Sequence, residues 1–108
     1  MTDNYQVIYS PAAYDDIEAI YTYVAYELLA EPTAGELTAH IRKEIRSLDT
    51  FPERNSPVDW EPWASMNMRK TPVGSFVVYY TVDKANRIVT VVRIFYGGRD
   101  VEQIITMQ

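Results

Sequence analysis

Residues 75–83 read S-F-V-V-Y-Y-T-V-D and residues 88–96 read I-V-T-V-V-R-I-F-Y, two runs that are nearly all apolar and dense in β-branched and aromatic side chains. Such residues favour the extended chain, and runs lacking polar alternation belong to strands covered on both faces. The linking Asp83-Lys84-Ala85-Asn86-Arg87 is polar and of hairpin length. With Met66-Asn67-Met68-Arg69-Lys70 ahead of them, these runs predict a three-stranded antiparallel meander with its basic residues near the strand ends. Arg93 interrupts the last run, and regular alternation puts Val91 and Phe95 on its face. Gly97-Gly98 then allows a sharp turn, which places Arg99 just beyond the strand.

The first half has a different period. Residues 5–9 alternate weakly and read as a first strand that joins the meander. Ser10-Pro11 is a helix start, with serine as the N-cap and proline in the first turn. Ala13, Ile17, Ile20, Val24 and Leu28 recur every three or four residues and form a core-facing stripe. Asp15, Asp16 and Glu18 suit the positive end of that helix. Tyr14, Tyr21 and Ala25 make a second stripe about 100° round the helix, and Tyr23 and Tyr26 flank the other side. Tyrosines in that number serve either packing against a neighbouring element or a partner interface. Glu31-Pro32-Thr33 starts a second helix, whose stripe is Ala34, Leu37, Ile41, Ile45 and Leu48. The two helices predict an antiparallel hairpin laid over one face of the sheet. Residues 53–64, with Pro57, Trp60, Pro62 and Trp63, read as an ordered loop whose tryptophans pin it to the body or stack on a base.

The expected fold is therefore α+β: an N-terminal strand, a helix hairpin, and a three-stranded meander that completes one twisted antiparallel sheet. With 108 residues, 47% of them hydrophobic, the chain reads as a single domain over 1–108 with one modest core. It has no cysteine, which excludes disulfides and thiolate metal sites. Neither a signal peptide nor an apolar run of membrane-spanning length is visible, so a cytoplasmic protein without membrane association is expected. The net charge of −5 opposes bulk attraction to nucleic acid, but it is unevenly spread. Residues 1–65 carry twelve acids and four bases; residues 66–108 carry three acids and six bases. A basic second half either meets phosphates or pairs with the acidic first half. The lone histidine, His40, lies about 100° off the stripe of the second helix and reads as a rim residue. No metal site or cofactor site is expected.

Taken in order, these pieces resemble the RelE/ParE superfamily of bacterial type II toxin–antitoxin toxins (the plasmid stabilisation family). The resemblance rests on Arg69 before a central strand, on residues 76–83 and 87–94, and on Tyr96-Gly97-Gly98-Arg99-Asp100 at the close of the last strand. Residues 5–10 followed by Pro-Ala-x-x-Asp, the tyrosine-rich first helix and Leu48-Asp49-Thr50-Phe51-Pro52-Glu53-Arg54 match as well, so it spans nearly the whole chain. It implies a growth-inhibiting toxin held in check by a cognate antitoxin. The expected action is cleavage of mRNA on the ribosome, as by RelE-like members; the alternative is DNA gyrase, which ParE-like members poison without catalysis. A purely complex-forming homologue is the third reading.

Cleavage would proceed by attack of a ribose 2′-oxygen on the adjacent phosphate, which needs a base, an acid and a cation on the pentavalent phosphate. The resemblance places Arg99 at the phosphate, Arg69 on the RNA backbone and Tyr96 where many relatives have histidine or tyrosine, giving Arg99, Tyr96 and Arg69 as catalytic candidates. Arginine suits phosphate through its planar fork. A tyrosine exchanging protons needs arginines nearby to bring its pKa down from about 10. Arg93 and Lys70 are candidate substrate contacts, and Tyr14, Tyr21 and Tyr23 candidate antitoxin contacts. This chain departs from the nucleases at Val77, where they carry arginine, at Ile105, where they often have tyrosine, and in lacking their lysine-rich helix. Those departures place it nearer the ParE-like members.

Overall fold

The computed structural model describes residues 4–97. The order is β1 (Gln6–Tyr9), α1 (Pro11–Thr22) continued by a π-turn (Tyr23–Glu27), α2 (Glu31–Arg46), two 3-10 turns (Ser47–Asp49 and Pro52–Arg54), β2 (Ser56–Pro57), β3 (Met68–Val73), β4 (Phe76–Asp83) and β5 (Ile88–Tyr96). The sheet order is β1-β5-β4-β3-β2. The meander is antiparallel as expected. β1 differs: it lies parallel to β5, from Gln6 opposite Ile88 to Tyr9 opposite Val91, so the sheet is mixed. The reason lies in the path of the chain. The chain passes from β1 through two helices into β2 and β3 at the far edge, and two hairpin reversals later β5 runs in the direction of β3 and of β1.

Serine 10 sets the start of α1 as its position predicted. Its Oγ accepts from the Ala13 amide at 3.0 Å and donates to the Val92 carbonyl at 2.8 Å, so the cap also ties the helix to β5. The apolar stripe holds through Val24 and then fails at Leu28, which is 55% exposed. The π-turn explains this. The Leu28 amide donates to the Tyr23 carbonyl, five residues back, and the extra residue rotates the stripe so that Val24 and Ala25 are the buried pair. Leu29 follows at φ 53°, and the left-handed residue stops the helix.

The main core lies between the helices and the sheet. Ala13, Ile17 and Ile20 from α1 meet Ile41 and Ile45 from α2, with Leu48 just beyond it, over Val78, Tyr80, Val82, Val89, Val91 and Ile94. Each fully buried isoleucine or leucine contributes about 2 kcal/mol of transfer free energy. The opposite face carries a second cluster, in which Trp60 and Trp63 lie over Val58, Met68, Tyr79 and Phe95. The strands are thus covered on both faces, as their unbroken apolar runs predicted, and the tryptophan loop is pinned to the body.

A β-bulge corrects one detail. Tyr79 stands opposite Arg93 and Tyr80 opposite Val91, so Val92 is an extra residue on β5. Val91 consequently joins the helix-side core, while Phe95 belongs to the outer cluster. Arg93 keeps Phe95 as a neighbour, its guanidinium carbon 4.5 Å from the ring centroid, and loses Val91. Among the described residues no helix is long and apolar enough to cross a membrane.

Candidate functional site

Arg69 sits on β3 opposite Tyr80, next to the 3-10 turn Pro52–Arg54. Its Nη1 donates to the carbonyls of Glu53 at 2.9 Å and Asn55 at 2.7 Å, and its Nε donates to Asn67 Oδ1 at 3.2 Å. Nη2 lies 3.6 Å from the Glu53 carboxylate. The side chain is only 17% exposed, so Nε and Nη1 are spent inside the protein and Nη2 is held beside a carboxylate. Beside it, Tyr80 donates its hydroxyl proton to the Pro52 carbonyl at 2.7 Å and accepts from Asn55 Nδ2 at 2.9 Å. Burial pushes the Tyr80 phenol above its ordinary value. Asn67 donates to Glu53 Oε2 at 2.9 Å, and Lys84 lies 3.4 Å from Glu53 Oε1. That hydrogen bond from Asn67, and then Lys84 and Arg69, hold the Glu53 carboxyl below the usual carboxylate range. The arrangement is a brace that fixes residues 51–55 to β3 and β4.

Arg93 is also engaged. Its Nε and Nη2 donate to the two oxygens of Asp16 on α1, at 2.7 and 3.0 Å, and the Ile94 amide donates to the same carboxylate at 2.9 Å. β1 ends opposite Val91, and beyond it Asp16 occupies the edge of β5. Beside this pair a groove of about 650 Å³ runs between α1, the π-turn and the ends of β4 and β5. Ile20, Tyr23, Leu28, Phe76 and Tyr96 give it an apolar wall, with Asp16 and Arg93 as the charged part. Tyr23, Leu28 and Tyr96 are 56, 55 and 58% exposed, a concentration of large apolar surface at one place. Tyr96 packs edge-on against Phe76 with centroids 5.8 Å apart.

The other candidates are dispersed. Lys70 is exposed on β3 opposite Tyr79. Tyr14 is exposed and stacks on Tyr9 at 4.9 Å. Tyr21 packs against Val24, Ala25 and Ala34 and borders a smaller hollow with Glu18 and Arg42. Of the three tyrosines, Tyr23 alone reaches the groove. Arg99 lies outside the described residues, as do Gly98 and Asp100. Tyr96 and Arg93 share the groove, whereas Arg69 belongs to the brace at Glu53. Arg69, Lys84 and Arg93 all contact carboxylates of the acidic first half, so these three bases of the second half are engaged in internal pairs. Among the described residues no three His, Cys, Asp or Glu side chains come together as metal ligands, and His40 is exposed on α2.

Sequence reasoning missed Asp16, Glu53, Asn55, Asn67 and Leu28. Asp16 read as a helix-dipole residue, since nothing local links it to an arginine 77 positions away. Leu28 read as core because the π-turn has no signature in the apolar period.

Residues 7–101 match the sequence model described as ParE toxin of type II toxin–antitoxin system, parDE. No curated protein matches the chain. Among solved structures, it resembles a chain of the chromosomal ParDE toxin–antitoxin system of P. aeruginosa with a TM-score of 0.70 at 16% identity, over 88% of this chain and 98% of that one. A chain of the RelBE2 toxin–antitoxin complex of Mycobacterium tuberculosis aligns with a TM-score of 0.66 at 16% identity, over 86% and 98%. One from the archaeal RelE–RelB complex of Pyrococcus horikoshii OT3 aligns with a TM-score of 0.62 at 10% identity, over 89% and 98%. At such identities these likenesses speak to the fold.

Proposed function

Because the chain belongs to the ParE toxin family of type II toxin–antitoxin systems, we propose that it arrests growth by binding a protein target, DNA gyrase, and not by cutting mRNA. The observation that carries this reading is the occupied fork of Arg69. A phosphate-binding arginine needs free donors aimed at solvent, and this one spends Nε and Nη1 on the Glu53 and Asn55 carbonyls and on Asn67, with Nη2 beside the Glu53 carboxylate. Arg93 is likewise paired bidentately with Asp16. Tyr96 then stands among the described candidates without a cation free to stabilise a pentavalent phosphate at its side. The departures from the nuclease pattern at Val77 and Ile105 point the same way.

The partner is an antitoxin, and its docking site on this chain is the groove between α1 and the ends of β4 and β5. That site combines exposed Tyr23, Leu28 and Tyr96 with a neutralised ion pair, the mixture of aromatic anchors and satisfied charge that a protein interface uses. The structural neighbours come from toxin–antitoxin complexes. A pulse of expression without antitoxin, followed by mapping of cellular mRNA 5′ ends, tests the target. Growth arrest with intact mRNA and a DNA-damage response supports gyrase; new ends clustered within translated codons would replace this reading with the nuclease. Leu28→Asp, at the exposed rim, should weaken antitoxin binding by about tenfold or more while leaving the helix-side core untouched.

A further inference from the structure

The outer face of the sheet is closed by residues 59–66, and the way they are attached differs from the rest of the fold. Most of their hydrogen bonds stay local, and one, donated by Met68 N on β3 to the Trp63 carbonyl at 3.0 Å, reaches the sheet. Ala64 N donates to the Trp60 carbonyl, Met66 N to the Trp63 carbonyl, and Ser65 N to Glu61 Oε1, at 2.8, 3.1 and 3.0 Å. At one end the Val58 amide reaches the Met68 carbonyl at 3.0 Å. At the other, Asn67 is anchored to Glu53 and Val82 and takes φ 57°, a left-handed conformation that asparagine tolerates. Between those ends the segment is held to the sheet by that one Met68–Trp63 bond and by the side chains of Trp60 and Trp63, which lie over Met68, Tyr79 and Phe95.

Both indole Nε1 atoms expose less than 1 Å² and have no hydrogen-bond partner in the protein. With that exposure no water fits against them. Each closed tryptophan therefore keeps a buried donor unsatisfied, a cost that opening to solvent removes. The apolar contacts favour closure; the two N–H groups oppose it. Two such donors in one short segment, with a single backbone hydrogen bond to the sheet between its ends, single it out from its surroundings.

We propose that residues 59–66 are a strap that opens as one unit, hinged at Val58 and Asn67, while the sheet and helices stay folded. Opening uncovers Tyr79 and Phe95. Tyr79 stands in register between Lys70 on β3 and Arg93 on β5, so the uncovered row is aromatic, flanked by the exposed Lys70 on one side and the Asp16-paired Arg93 on the other. The closed strap hides this row, and its opening equilibrium sets how often the row is presented. Segments of this kind, attached by few apolar contacts, open at free energies below that of global unfolding.

The chain's two tryptophans are both in the strap, so indole signals report on it alone. Native-state hydrogen exchange by NMR at graded low urea compares the two indole N–H groups and the Met68 amide, whose acceptor is the Trp63 carbonyl, with the amides of Val78 and Tyr80. The indole and Met68 groups should exchange about 100-fold faster or more than the β4 amides, with a smaller urea dependence. Equal protection and equal urea dependence would overturn the proposal. A second measurement isolates the N–H groups. Replacing both tryptophans with 3-benzothienyl-alanine keeps the bicyclic shape and removes the donor. The Met68 amide should then exchange about tenfold more slowly, with the β4 amides no faster than before. Unchanged or faster Met68 exchange would overturn the role given to the indole donors.

Discussion

Asp16 and Arg93 lie 77 positions apart and join α1 to β5 through two parallel hydrogen bonds of 2.7 and 3.0 Å. The same carboxylate takes the Ile94 amide, so one residue both neutralises a strand arginine and closes the part of the β5 edge that β1 leaves bare. Both side chains are 14% exposed. Removing either partner leaves a largely desolvated charge. Asp16→Ala should therefore lower unfolding free energy by about 3 kcal/mol, and Asp16→Leu with Arg93→Met should cost less than the sum of the singles. Urea unfolding of the four proteins checks this; strict additivity would mean the pair is not coupled.

Tyr80→Phe removes a single oxygen from the brace at residues 51–55. The Pro52 carbonyl loses its donor and Asn55 Nδ2 its acceptor. The expected loss is about 1–2 kcal/mol, read as a lower urea midpoint with an unchanged slope.

Arg69→Lys keeps the charge and loses the fork. A lysine ammonium cannot satisfy the Glu53 and Asn55 carbonyls and Asn67 together, so about 2 kcal/mol of stability should be lost. Toxicity should survive wherever the folded fraction does. A stable Arg69→Lys protein without toxicity would instead place Arg69 at the functional surface.

The brace also predicts an acid response. The Glu53 carboxyl is held below its ordinary value of 4.5, first by the Asn67 hydrogen bond and then by Lys84 and Arg69. A depressed folded-state pKa contributes stability that is whole above about 4.5 and is lost as pH falls through the lower folded value. Thermal midpoints between pH 6 and pH 3 should fall less steeply in Glu53→Gln than in the parent. Parallel curves would remove Glu53 from the acid response.

The strands and helices were legible in the sequence because their periods are long and regular. Residues 88–96 were delimited from pattern alone, and Ser10-Pro11 marked the start of α1. What escaped was each place where one inserted residue shifts a period. The π-turn at Tyr23–Glu27 turns Leu28 outward, and Val92 in the β5 bulge separates Arg93 from Val91. Neither insertion changes composition; both are fixed by how the element packs on its neighbours. The parallel course of β1 depends on the path of the chain, which strand patterns do not encode. Arg93 stood out as an arginine inside an apolar run and Arg69 through the family resemblance, but their partners Asp16 and Glu53 are distant in the chain, so their pairing emerged only with the fold.

Gyrase-catalysed DNA supercoiling, with the purified chain titrated in, tests the central claim most directly. The account predicts dose-dependent inhibition that the antitoxin reverses, alongside no cleavage of mRNA on translating ribosomes at the same concentrations. Unimpaired supercoiling together with codon-positioned cleavage of ribosome-bound mRNA would contradict it.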